Sequence, residues 1–331
     1  MNETMNDNSI PSIWKDGFSG ENCHTDMSVN IAGVKFRNPV IAASGTFGNG
    51  REYSQIIDIS LLGGICSKGL TITPRQGNTG MRIWETAGGL LNSIGLENPS
   101  ISSFLEHDLP YLKQLGPVII ANLSGGDSDE YLKGAKLLNQ SSVDIIELNI
   151  SCPNVKAGGM AFGMDPGTAA AIVAAVRRIC TSKPLMVKLT PNSPSLTAVA
   201  LSCIRAGADA LSLVNTFKAM AIDTVNRKPV FDNVTAGLSG PAIKPIALRM
   251  IWELYDAVVD AKTNTPLIGI GGIASANDAL EYLMAGASSI QVGSATFVNP
   301  NAMFEIIDGI GHYMQNNKMT KLGEISIRNK H

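Results

Sequence analysis

The chain has 331 residues, 44% of them hydrophobic and only 16% charged, against ~25% charged in an average soluble protein. That balance excludes a disordered or coiled-coil chain, either of which carries far more charge. A formal net charge of −2 offers no basic excess for general nucleic-acid binding, and 5% aromatics offer few platforms for stacking bases.

Residues 1–27 read as a polar extension, with Lys15 alone against Glu3, Asp7, Asp16, Glu21 and Asp26. A signal peptide needs an apolar stretch, and a transit peptide is rich in Arg and poor in acids. Neither fits. The longest apolar run, Ala169–Val176, is far shorter than the ~18 residues of a membrane span. Cys23, Cys66, Cys152, Cys180 and Cys203 contain no C-x-x-C pair, so the chain builds no zinc or iron–sulfur cage and suits a reducing compartment. A cytoplasmic protein is expected.

From Ser28 onward, short apolar runs alternate with helical patterns. The runs are Pro39–Ala43, Gly64–Lys68, Pro117–Leu123, Ile145–Asn149, Leu185–Leu189, Ala210–Val214, Leu267–Ile270 and Ser289–Val292. Nearly continuous apolar runs of this length suit buried parallel strands. Helices are expected over Ser128–Leu138, Pro166–Thr181, Pro194–Ala206 and Asn277–Ala285. Ser128 opens the first of these, with Asp129 and Glu130 in its first turn, where they face the positive helix end. Pro166 sits where a missing amide hydrogen costs nothing. Eight strands, each followed by a helix, predict an α/β fold of the TIM (β/α)8 barrel type over 28–312, with a C-terminal tail over 313–331. A doubly wound sheet is the competing architecture. Three long connections, Gly69–Ser100, Ile150–Asp165 and Asn215–Lys244, all follow strands and so lie on the face where barrels place their active sites.

The strand ends gathered on that face are Ser44-Gly45-Thr46, Lys68-Gly69, Asn122, Asn149, Lys188, Asn215-Thr216, Gly271-Gly272 and Gly293-Ser294. Amides both donate and accept, which suits a flat neutral heterocycle. Lysines suit an anion or a developing negative charge. Individually such Asn and Gly residues also serve as turn formers. The Gly turns after the seventh and eighth strands suit a phosphate group. Gly269-Ile270-Gly271-Gly272-Ile273-Ala274 matches a dinucleotide fingerprint, but Gln291 stands about 20 residues on, where an acid would hold a ribose. A mononucleotide phosphate is therefore preferred.

Cys152 follows the fourth strand end in Glu147-Leu148-Asn149-Ile150-Ser151-Cys152-Pro153-Asn154, in a polar loop that continues through Gly158-Gly159. A thiol there suits a general base or a nucleophile. No His lies in the motifs at the mouth, which favours the base. For Lys188, an ion pair in the barrel interior is the plainer alternative, and the preceding strand is expected to offer it no nearby acid.

These segments, together with Leu91-Asn92-Ser93-Ile94-Gly95-Leu96-Glu97-Asn98-Pro99, Val187-Lys188-Leu189-Thr190-Pro191-Asn192 and Gly237-Leu238-Ser239-Gly240-Pro241-Ala242, resemble the dihydroorotate dehydrogenases, specifically the catalytic subunits of class 1B. The resemblance runs from about Ser28 to His312. Ser100 departs from it, standing where Gly is common, a change expected to matter little. The resemblance implies one FMN per chain, held by Ser44, Lys68, Gly69, Asn122, Asn149, Lys188, Val214, Gly240, Gly271, Gly272, Gly293 and Ser294. It implies dihydroorotate, oxidised to orotate, at Lys68, the loop Asn92, Ser93, Ile94, Gly95 and Leu96, and Asn149, Asn215 and Thr216, with Cys152 taking a proton. It also implies a partner subunit that carries FAD and a [2Fe–2S] cluster and passes electrons to NAD, in an assembly of two plus two. A homodimeric enzyme using fumarate and a nonredox phosphate-binding barrel are the alternatives, with a noncatalytic flavin-binding scaffold behind them.

Overall fold

In the computed structural model, which describes residues 25–151 and 162–328, the eight apolar runs form eight parallel strands. Cys152 and the extension through residue 24 lie outside the described residues. The strands are β1 (Val40–Ala42), β2 (Gly64–Cys66), β3 (Val118–Leu123), β4 (Ile145–Asn149), β5 (Leu185–Lys188), β6 (Ala210–Leu213), β7 (Leu267–Ile270) and β8 (Ser289–Val292). Each pairs with its neighbour in chain order, and β8 pairs with β1, so the sheet closes. Closure decides between the two expected architectures, because a doubly wound sheet keeps two free edges.

Alternation along each strand sorts residues into two layers. On β4, Ile146 and Leu148 face outward into the main core beneath the helices. Ile145 faces inward and packs with Ile41, Cys66, Ile120, Met186 and Ile268 in a second cluster inside the barrel. A hairpin, Val29–Ile31 with Val34–Phe36, closes that end by inserting Ile31 and Phe36 into the cluster. Burial of these large apolar side chains stabilises the fold by about 2 kcal/mol each.

The helices after β2 to β8 run over Leu109–Leu115, Ser128–Asn139, Pro166–Ile179, Leu196–Arg205, Lys244–Asp260, Ala276–Met284 and Ala302–Asn316. Asp127, rather than Ser128, caps the helix after β3, its carboxylate accepting from the Glu130 amide at 2.9 Å. One expected helix is missing. The β1 to β2 crossover holds only the 3-10 turns Tyr53–Gln55 and Ile59–Leu61, and Gly48 and Gly50 with φ of +56° and +84° keep the preceding backbone out of a helix. Two of the long connections carry strands of their own. Phe217–Ala219, Ala236–Ser239, Gly89–Asn92 and Ile83–Thr86 form a four-stranded antiparallel sheet beside the barrel mouth. The C-terminal stretch docks onto the barrel: Leu322 and Ile325 are buried, and the Asp26 amide donates to Thr320 O at 2.8 Å. No helix among the described residues is long and apolar enough to cross a membrane.

Ser100 matters more than its sequence suggests. Its φ of +99° lies where a Cβ is strained, and its hydroxyl accepts from the Ser103 amide at 3.3 Å, capping the helix that follows. Glycine removes the strain, and as an N-cap it is only a few tenths of a kcal/mol worse than serine. Ser100→Gly is therefore expected to stabilise the fold by about 1 kcal/mol in urea unfolding. Destabilisation of that size would show that the hydroxyl cap outweighs the backbone strain.

Candidate active site

The barrel mouth is organised around a carboxylate that the sequence reading overlooked. Glu147 alternates inward from β4, between Ile145 and Asn149, and is fully buried. Its Oε1 accepts from Ser212 Oγ at 2.7 Å and Gln291 Nε2 at 2.9 Å, and its Oε2 from Asn122 Nδ2 at 2.6 Å and Cys66 Sγ at 3.2 Å. Lys188 Nζ lies 4.0 Å from Oε2. The expectation that Lys188 lacks a nearby acid is thus corrected. Asn149 and Ser212 flank Lys188 in the ladder, so β4 brings Glu147 beneath it.

Burial disfavours the ionised Glu147, but the Lys188 charge and the bonds from Ser212, Gln291 and Asn122 outweigh it and hold the carboxyl below its ordinary range. At 4 Å and an effective dielectric near 20, the Coulomb attraction is about 4 kcal/mol, enough to decide that balance. Cys66 behaves in the opposite way: burial, and then the adjacent carboxylate, push its thiol well above the usual range, so it donates as a neutral S–H. Cys180 and Cys203 are pushed up to about 11 and about 12 by burial, as inert core thiols.

A chain of amides rises from this hub. Asn149 Nδ2 donates to Asn122 Oδ1 at 3.3 Å. Ser151 Oγ donates to Asn149 Oδ1 and accepts from Asn215 Nδ2. Asn215 Oδ1 accepts from the Thr216 amide at 2.8 Å. Ser151 is thus a second residue that was missed; its place between two candidate amides became visible only once β4 and β6 were aligned. Lys68 projects from the end of β2 beside a cavity of about 340 Å³ lined by Arg75, Gln76 and Glu97. Among the described residues neither the Lys68 nor the Lys188 ammonium has a hydrogen-bond acceptor.

The loop Asn92–Leu96 reaches the same place. A Cβ at Gly69 would lie 3.0 Å from Leu96 Cδ2 and 3.3 Å from Asn122 Oδ1, so glycine there lets the loop approach β3. Asn92 Nδ2 donates to Gly237 O at 3.2 Å, and a Cβ at Gly237 would strike Thr216 Oγ1. Asn78 braces the loop, donating from its amide to Ile94 O at 2.9 Å and from Nδ2 to Ser93 Oγ at 3.0 Å. Gly95 and Leu96 turn it with positive φ.

The glycine turns form a separate group on the β7–β8 side. Gly271 and Gly272 have φ of +134° and +66°, and a Cβ at Gly272 would lie 2.8 Å from Gly240 O. Tyr282, on the helix after β7, donates from Oη to Gly271 O at 2.7 Å and braces the turn. Gly293 faces Ala43 and Thr46, next to Ser44, and Ser294 leads into the short helix Ala295–Val298. Val214 is built into the wall, its amide donating to Ile270 O at 2.9 Å. A larger cavity, of about 420 Å³, lies between Asp26, Tyr255, Ser288 and Lys321 at the opposite end of the barrel and belongs to the docking of the two termini.

This set fits a flavin mononucleotide in kind. Backbone amides at tight glycine turns suit its phosphate, adjoining amide side chains suit the edge of a flat ring, and a buried ammonium with unused hydrogens suits the electron-rich end of that ring. The family model for dihydroorotate dehydrogenase matches residues 26–314. A protein of Petrotoga mobilis named dihydroorotate dehydrogenase B (NAD(+)), catalytic subunit, is 57% identical over 300 residues, which cover 91% of this chain and 98% of that protein. Identically named proteins of Alkaliphilus metalliredigens and Caldicellulosiruptor saccharolyticus are 47% and 49% identical, again over 91% of this chain and 97% and 98% of theirs.

Proposed function

The chain belongs to the dihydroorotate dehydrogenase family, and on that premise we propose that it is the catalytic subunit of an NAD-linked enzyme that oxidises dihydroorotate to orotate in pyrimidine biosynthesis. The observation that carries this reading is the buried Lys188 ammonium, charge-balanced by Glu147 yet without a hydrogen-bond acceptor among the described residues, at the head of the amide chain Asn122–Asn149–Ser151–Asn215. FMN, when bound, supplies the acceptor for the hydride that leaves C6 of the substrate.

The chain's residues divide the remaining work. The amides of Gly271-Gly272 and Gly293-Ser294 hold the phosphate, with Gly240 packed behind them. Ser44, Gly69, Asn122 and Val214 line the ring. Asn92, Asn149, Asn215 and Thr216 bind the amide edges of dihydroorotate and orient its reacting carbons. Lys68 and the Asn92–Leu96 loop hold the substrate carboxylate. Cys152 takes the proton from C5. Lys188 opposes negative charge gathering at the pyrimidine end of the ring. Five dispersed thiols and no supported dinucleotide fingerprint leave this chain without the parts for NAD chemistry. A partner subunit carrying FAD and a [2Fe–2S] cluster completes the path, two copies of each forming the cytoplasmic enzyme.

Acid extraction of the purified chain tests the cofactor, with one FMN per chain expected. FAD, or no flavin, would overturn the site assignment. With the partner, the chain should reduce NAD; alone, it should reduce artificial dyes. Robust turnover with fumarate by the isolated chain would contradict the NAD-linked reading.

A further inference from the structure

We propose that Glu147 is a positioning residue that keeps Lys188 charged and leaves its hydrogens free for the ring above it. This rests on the reading that Lys188 faces the cofactor. A carboxylate has about four lone-pair sites. In Glu147 all are taken by uncharged donors, two on Oε1 from Ser212 and Gln291 and two on Oε2 from Asn122 and Cys66. Lys188 stands at 4.0 Å, near enough for its charge to be balanced but too far for a hydrogen bond.

That arrangement separates two functions that an ordinary salt bridge merges. In a close ion pair the ammonium turns its hydrogens to the carboxylate and has fewer to offer elsewhere. Here the four neutral donors restrain the carboxylate, and the ammonium gains its counter-charge without giving up its donors. Lys188 is only 5% exposed, so without a counter-charge its protonated form would be disfavoured by burial. The titratable groups that face it are Glu147 from β4 and Cys66 from β2; Asn122, Ser212 and Gln291, from β3, β6 and β8, carry no charge. Lys68 and Arg75 are the other cations described at the mouth. Cys66 stays a neutral donor, so Glu147 is the one described group that supplies negative charge.

The test uses the full-length chain and its Glu147→Gln variant, which keeps the shape of the side chain and removes the charge. Two quantities are followed from about pH 6.5 to 9.5, the span in which a buried lysine without its partner loses its proton. The first is the thermal midpoint of the chain stripped of cofactor, a readout that needs no flavin. The unfolded variant binds more protons at Lys188 than the folded one, so its stability rises with pH, and its deficit against wild type shrinks toward pH 9.5. The second is FMN affinity, expected to fall about 10-fold across this range in Glu147→Gln and to stay within 2-fold of the wild-type trend in Glu147→Asp, which restores the charge. The double variant Glu147→Gln/Lys188→Met should lose both pH dependences. A folded Glu147→Gln with a wild-type pH profile in both measurements would overturn the inference. If Glu147→Gln does not fold, the double variant should, because both charges are gone; failure of both would overturn it as well. Absence of FMN binding by wild type would instead refute the proposed function, and the thermal series would still decide the role of Glu147.

Discussion

Cys152→Ala is expected to fold and retain FMN yet lose about 10²–10⁴-fold in the rate of dihydroorotate oxidation at neutral pH, the usual cost of removing a general base. Cys152 lies outside the described residues, but both flanks of its loop are anchored at the mouth. Ser151 is buried and bonded to Asn149 and Asn215, and the Gly163 amide donates to Ile150 O at 2.9 Å. Ser151 itself therefore sits where the candidate substrate amides meet. The unperturbed thiol pKa is ~8.5, close enough to neutrality for a base. A serine hydroxyl is far weaker, so Cys152→Ser should keep a trace of activity that grows with pH. Stopped-flow reduction by dihydroorotate reads both variants. Equal rates for wild type and Cys152→Ala would exclude the base.

Lys188→Ala is expected to cost about 3 kcal/mol of stability, because removing one partner of a buried charge pair leaves the other uncompensated. The cost sits at the low end of that class, since Glu147 keeps its four neutral donors. The pH dependence follows from the sign of the change. In wild type the Glu147 carboxyl titrates below its ordinary range, so its contribution is present above the unfolded value and is lost on acidification. Without Lys188, burial becomes the dominant influence and the folded carboxyl titrates above the unfolded value of ~4.3. Protonation then relieves the variant, so its deficit shrinks as pH falls from about 7.5 to 5. This is opposite to Glu147→Gln, whose deficit shrinks as pH rises. Urea unfolding at the two pH values checks it, and a deficit that grows on acidification would contradict the pair. Flavin retention should fall in the same variant.

The barrel was legible because each of its strands is a short, continuous apolar run, and the observed strands β1 to β8 lie within the expected runs. Lys188, Asn122, Asn149 and Asn215 stood out because polar residues at the ends of such runs have few reasons to be there. The connections were harder. Ile83–Thr86 and Gly89–Asn92 are short strands that pair with each other, and Gly89–Asn92 gains its second neighbour only from Ala236–Ser239, almost 150 residues away, which no local pattern carries. Glu147 was hidden by its surroundings: inside an apolar run a single acid reads as an interruption, and its partners arrive from β2, β3, β5, β6 and β8. Period-two alternation was the available signal, since it turns Glu147 inward with Asn149. Ser100 was misjudged because backbone strain is not visible in a residue type.

The most direct measurement of the central claim is anaerobic mixing of the purified full-length chain, carrying its own flavin, with dihydroorotate while the flavin absorbance is followed. Bleaching of the flavin band with formation of one orotate per flavin is the expected result. A flavin band that dithionite bleaches but dihydroorotate leaves unchanged would contradict it.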